Sequence, residues 1–189
     1  MLFNAEGTKL ISYSKEDERT EYTIDKTVKD ISYGAFRHHE TLAKITVDAE
    51  NELFMDKDGV LYKKNAEGLP SELVTVPRAK TFPNNEYVMP ESVTSIAPYV
   101  FYKNTNIKTV TFNNKCKVIS AYMFYEVSSL EKIVFPANEL DFGECAIKDC
   151  TALKVIEFGG NDVAWKKAVS NSTEKEMIEN QITYTKIEK

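Results

Sequence analysis

A chain of 189 residues can hold one domain with a real core, or a short array of repeats. With 42% hydrophobic and 11% aromatic residues it is a folding sequence and not a disordered one. Its net charge of −5, with Lys and Arg dispersed, has the wrong sign for a nucleic-acid groove or an anionic membrane surface. No apolar run approaches the roughly 18 residues of a membrane span.

At the N-terminus, Met1 to Leu10 lack a basic segment followed by an apolar stretch, so no signal peptide is read there. Two readings follow: an intracellular protein, or a mature form whose targeting segment has been removed. Leu2-Phe3, the polar Asn4-Ala5-Glu6-Gly7 and Leu10-Ile11-Ser12-Tyr13 read as strand, turn and strand.

A repeat unit follows. Val93, Ile96, Phe101, Ile107, Val110 and Phe112 recur 23 residues on as Cys116, Ile119, Phe124, Leu130, Ile133 and Phe135. Another 23 residues bring Glu139, Phe142, Ile147, Leu153, Ile156 and Phe158, and only Glu139 breaks the apolar pattern. Subtracting 65 from the first set gives Val28, Ile31, Phe36, Leu42, Ile45 and Val47, all apolar, and Tyr22 then matches Tyr87. Repeat units are therefore expected at about 22–47, 87–112, 113–135 and 136–158, with an insertion of paired strands at about 48–86. Within the insertion, Gly59–Tyr62 and Leu73–Val76 read as two short strands. The larger module looks used twice, followed by two plain repeats and a cap.

Ile133 and Phe135 lie two residues apart, the strand period. Ala121–Phe124 is too short for an independent helix and reads as a helical or 3₁₀ turn. The Val-x-x-Ile pair marks a second short strand on the far side. One unit cannot bury both apolar edges; stacked copies can, with Phe36, Phe101, Phe124 and Ile147 as an inner ladder. A charge at Ile133 or Ile156 should then be severely destabilising. The pattern stops at Gly159-Gly160. Asn161 or Asp162 can cap a helix carrying Trp165, Ala168 and Val169, a polar stretch runs over 172–181, and Ile182, Tyr184 and Ile187 suggest a last strand. The division expected is a solenoid over 1–160 and a C-terminal cap over 161–189.

The run Val93-x-x-Ile96-x-x-x-Val100-Phe101-x-x-x-x-x-Ile107-x-x-Val110-x-Phe112 resembles the BspA-like leucine-rich repeat. Ala35-Phe36 matches that family's Ala-Phe pair, Cys150 its Cys position and Phe135-Pro136 its strand end, while Asp58–Tyr62 resembles a segment common between such repeats. His39, Asn104 and Val127 stand where the family has Cys, and Val100 and Met123 where it has Ala. The resemblance covers about residues 22–160. It implies a β-rich α/β solenoid: a right-handed leucine-rich-repeat superhelix of short parallel strands and short helical or 3₁₀ turns. It also implies a bacterial cell-surface or secreted protein of adhesive type, with host or microbial surface proteins as partners. The family shares no catalytic site, so neither catalytic residues nor a cofactor is expected.

Chemistry is sparse. Asp56-Lys57-Asp58-Gly59 resembles the start of a calcium loop but lacks its later ligands, and is read as a turn with Gly59 at positive φ. His38-His39 has no nucleophile or orienting carboxylate at a telling spacing, and both are read as surface turn residues. Cys116, Cys145 and Cys150 are odd in number and form no CxxC pair; a Cys145–Cys150 bridge is possible, but buried thiols are the expectation. Asn171-Ser172-Thr173 is a glycosylation sequon of consequence only in a eukaryotic secretory route. The candidate binding set is Tyr99, Tyr102, Tyr122 and Tyr125, two pairs 23 apart that flank the core Phe101 and Phe124. They can form an exposed aromatic surface for protein or glycan, or simply cover the core. The outward sheet residues (Lys44, Thr46, Thr109, Thr111, Lys132, Val134, Val155, Glu157) make a mixed polar face that names no ligand. The leading expectation is a non-enzymatic adhesion or protein-binding module; a tyrosine-based carbohydrate module and a structural spacer are the alternatives.

Overall fold

The computed structural model describes residues 1–187. Strands β1 (Leu2–Phe3), β2 (Lys9–Ser12), β3 (Glu21–Ile24), β4 (Asp30–Ile31) and β5 (Lys44–Val47) form the first two coils of a β-solenoid. β3 lies parallel to β5, and β2 parallel to β4, so one module closes on two small sheets. A hairpin follows, β6 (Phe54–Lys57) and β7 (Val60–Lys64), and β7 continues antiparallel into β8 (Pro70–Thr75). The hairpin turn has Asp58 at φ 53° and Gly59 at φ 79°, the left-handed pair that a tight two-residue connection requires. This bears out the turn reading of that segment. It adds a strand, β6, that the sequence pattern did not mark.

The arrangement then recurs. β9 (Glu86–Val88), β10 (Ser95–Ile96) and β11 (Thr109–Thr111) stand to one another as β3, β4 and β5 do, and β10 pairs with β8 as β4 pairs with β2. The same tetrapeptide, Asn-Ala-Glu-Gly, turns the chain before β2 and before β8. Gly7 N–H donates to the Asn4 carbonyl and Gly68 N–H to the Asn65 carbonyl, with both glycines left-handed.

β12 (Val118–Ile119), β13 (Lys132–Phe135), β14 (Asp141–Phe142) and β15 (Val155–Phe158) complete the repeats. β9, β11, β13 and β15 run parallel with Tyr87, Val110, Ile133 and Ile156 in register, all buried. Phe101 and Phe124 stack inside at 5.1 Å, and Ile147 continues the column. These are the consequences of the 23-residue step: an apolar residue at the same phase of each coil meets its own kind above and below.

β7 and β8 form a septum. Their side chains alternate, as strand geometry requires. Val60, Tyr62 and Leu73 enter the larger core that runs to the C-terminus, whereas Leu61 and Val74 enter the N-terminal core with Leu10, Phe36 and Ile45.

The end is capped by α1 (Asp162–Asn171), α2 (Lys175–Gln181) and β16 (Thr183–Lys186), which adds to β15. Asn161, one of the two expected caps, accepts the Ala164 N–H with its side chain. Trp165 stacks on Tyr184 at 4.8 Å and closes over Phe158 and Phe142. At Gly159 a Cβ would collide with the Pro136 carbonyl, which explains a glycine where the repeat gives way to the cap.

Candidate functional site

The four tyrosines sit on the turns that link each unit's two strands. Those turns carry i→i+3 hydrogen bonds, such as Tyr102 N–H to the Tyr99 carbonyl and Tyr125 N–H to the Tyr122 carbonyl. Successive turns are also tied together: Tyr99, Phe101 and Lys103 donate their N–H groups to Ala121, Met123 and Tyr125. To present alternate N–H groups to the next coil, the backbone turns left-handed at Tyr99 (φ 64°), Lys103 (55°), Tyr122 (54°) and Glu126 (54°). Gly34 (φ 71°) holds the equivalent place in the first unit, and Cys145 (50°) in the last. A bulky residue in that region is uncommon and costs free energy.

The structure brings all four expected residues together. Tyr99 stacks on Tyr122 at 5.0 Å with 10° between planes, and Tyr102 on Tyr125 at 5.4 Å and 9°. The two stacks touch across 5.9 Å at both levels, making a two-by-two tile of half-buried rings. Cations border it: Arg37 lies 5.2 Å from the Tyr99 ring, Lys103 5.6 Å from Tyr102 and Lys148 5.8 Å from Tyr125. Tyr99 also rests on Gly34, where an added Cβ would come within 3.1 Å of its ring. The Tyr122 hydroxyl donates to the Glu144 carboxylate at 2.9 Å, and that bond to an anion pushes its pKa up to about 12.

Two expectations are corrected. His39 is no surface residue: it is fully buried, because it fills the column occupied below by Asn104, Val127 and Cys150. Its Nδ1 accepts the Leu42 N–H, as Asn104 Oδ1 accepts the Ile107 N–H. His38 remains exposed. Burial pushes the His39 pKa down, partly offset by Asp17, whose carboxylate lies 3.9 Å from Nε2 and is itself clamped by Arg19. Cys116 and Cys150 are buried thiols, with pKa values raised by burial to about 11 and about 12, but Cys145 is part-exposed; all three are free. The first aspartate of the calcium-like segment is put to structural use: Asp56 Oδ1 accepts the Val47 N–H.

A cleft of about 590 Å³ escaped the sequence reading. Lys57 and Asp58 at the hairpin tip form one wall, and Glu86 and Val88 of β9 the other. The floor is Val60, Tyr62 and Tyr87, with Phe82 at the side. The Tyr62 and Tyr87 hydroxyls bond to each other at 2.8 Å, and burial raises both pKa values. Asn84 and Asn85, both left-handed, turn the chain just before β9, and Asn84 lines the cleft. That Asn pair beside Phe82-Pro83 was the available turn signal.

Coils in register, a continuous inner ladder and a capped end define a repeat scaffold of the leucine-rich kind. The chain belongs to the BspA-type leucine-rich repeat family, whose model for the repeat region (6 copies) matches residues 79–189, more than half of the chain. No curated protein matches it. Among solved structures it is similar to a leucine-rich repeat protein from Eubacterium ventriosum, with 29% identity and a TM-score of 0.66 over 75% of this chain and 37% of that one. The pneumococcal vaccine antigen PcpA shares the fold at 19% identity and TM-score 0.58, over 88% of this chain and 56% of that one. A leucine-rich cell surface protein from Faecalibacterium prausnitzii does so at 20% and 0.51, over 80% and 51%. The chain thus spans less than two thirds of each of these proteins. In the described residues no helix is long and apolar enough to cross a membrane.

Proposed function

We propose that this solenoid is a non-enzymatic binding module of a bacterial surface or secreted protein, and that it grips a protein partner through the Tyr99, Tyr102, Tyr122, Tyr125 tile. One observation carries the reading: two tyrosines are held at a strained left-handed backbone to complete a stacked, half-buried aromatic patch ringed by Arg37, Lys103 and Lys148. Tyrosine and arginine are the residue types that dominate protein interfaces. The surface-protein relative from F. prausnitzii and the family itself support the location.

A carbohydrate module would need free ring faces for sugars to lie on. Here one face of each ring is spent on stacking, and cations lie over the Tyr99, Tyr102 and Tyr125 rings, which leaves mainly edges and hydroxyls, the parts suited to a polypeptide. Binding to immobilised matrix proteins and glycans tests the proposal. Tyr102→Ala with Tyr125→Ala should weaken capture of a protein ligand at least about tenfold, the size of loss that marks a hot-spot residue. Undiminished capture by a variant with unchanged circular dichroism rejects the tile. Selective glycan capture would favour the carbohydrate reading, and no capture at all the spacer reading.

A further inference from the structure

The solenoid's main sheet is broken in one place. β5 and β9 would be neighbours in an uninterrupted coil, but the tip of the β6–β7 hairpin stands between them. It closes the β5 edge with its own groups: Ile45 N–H donates to the Gly59 carbonyl and Val47 N–H to Asp56. Gly59 is required for this approach, since a Cβ there would meet Lys44 Cγ at 3.0 Å.

The facing edge of β9 has no such cover. β9 pairs with β11 alone, and Lys108 N–H to Asn85 and Met89 N–H to Thr111 show that Asn85, Tyr87 and Met89 face β11. By strand alternation Glu86 and Val88 turn their backbone groups the other way, into the cleft. Glu86 N–H is taken by the Pro83 carbonyl; Val88 N–H and the two carbonyls have no partner among the described residues. Val88 also leaves 67% of its surface exposed.

An open edge of donors and acceptors along an apolar floor specifies the backbone of an extended chain. We infer that the cleft takes an extended peptide segment of a partner protein as an added strand on β9, with one inward side chain against Val60, Phe82 and Tyr87. Its walls carry Lys57 and Lys80 against Asp58 and Glu86, so the segment it fits is uncharged at the inward position. Four residues of strand, about 13 Å, match the wall formed by residues 86–90.

The probe is an acetylated, amidated hexapeptide with the sequence of residues 43–48, added to the whole chain labelled with ¹⁵N. Amide shifts should centre on Glu86–Met89 and the hairpin tip, and the Val88 amide should gain protection from exchange. Val88→Pro removes the free donor without touching an internal hydrogen bond, and a peptide N-methylated at alternate amides removes the matching donors. Each should weaken binding about fivefold or more, the effect of losing a hydrogen bond. The inference is overturned if the parent peptide produces no shifts at millimolar concentration, or if Val88→Pro or the N-methylated peptide binds as well as its parent. It is also overturned if the Val88 amide becomes protected with rising protein concentration alone, which would assign the edge to a second copy of this chain. None of these readouts involves the tyrosine tile, so failure here leaves the tile's own test untouched.

Discussion

Tyr99 and Gly34 occupy the same phase of two different coils, and the ring of one lies on the backbone of the other. Gly34→Ala would therefore meet two penalties, a left-handed φ of 71° and a 3.1 Å approach to Tyr99. A loss of about 1–2 kcal/mol is expected in urea unfolding, whereas a Gly-to-Ala change at a compatible site stabilises slightly. His39 makes a second prediction. Its folded pKa lies below the unfolded value of 6.5, so the unfolded chain binds more protons in that window. Its contribution to stability is complete above about pH 6.5 and falls away as the pH drops toward the folded pKa, by at most about 1.4 kcal/mol per pH unit. His39→Asn should flatten that slope, because Asn104 already fills the equivalent place with an uncharged acceptor for backbone N–H groups. Equal slopes for the two proteins between pH 6.5 and 5 would show that His39 does not titrate on unfolding. The tyrosine tile was legible in the sequence because it obeys the 23-residue step. The burial of His39 was half legible: the family column marked the position as internal, yet two adjacent histidines in a turn suggested solvent.

Strands of two to six residues cannot hold together alone, and each element here depends on the coil next to it. The pattern of Ile133 and Phe135 revealed the sheet because burial on one face imposes a period of two. β6 was missed for the converse reason: Phe54 is its one buried residue, and Met55-Asp56-Lys57 gives no alternation to detect. The cleft was illegible because it arises from where the hairpin tip comes to rest, a matter of packing and not of residue type. At the C-terminal end, Trp165 joins α1 to β16 through its stack on Tyr184. Trp165→Ala should cost about 2–3 kcal/mol, below the full value for a buried tryptophan because the ring is part-exposed. Hydrogen exchange should then locate the loss: residues 162–186 lose protection first, while β11 and β13 keep theirs. Uniform loss along the sheet would mean that the end does not act as a separable cap.

In the whole molecule, β7 and β8 divide the interior. Every large residue of the N-terminal core lies on one side, with Leu61 and Val74 reaching into it, and the long ladder from Tyr87 to Ile156 lies on the other. In solenoids each coil is stabilised by its neighbours, so damage spreads only as far as the nearest-neighbour coupling carries it. The septum contributes side chains to both cores, so damage to either can reach the other through it. A buried charge on each side separates the contributions. Ile45→Asp places an unpaired carboxylate in the fully buried N-terminal core, and Ile133→Asp does the same in the centre of the long ladder. Ile133→Asp should abolish cooperative folding, because it lies between β11 and β15 and breaks the ladder on both sides. Ile45→Asp should unfold residues 10–47 yet leave slow exchange in β11, β13 and β15, with the single tryptophan, Trp165, still in its native emission environment. If both variants lose all protection together, the septum couples the halves into one cooperative unit. The interrupted sheet beside β9 would then be a rigid feature of the whole solenoid and not a seam between two parts.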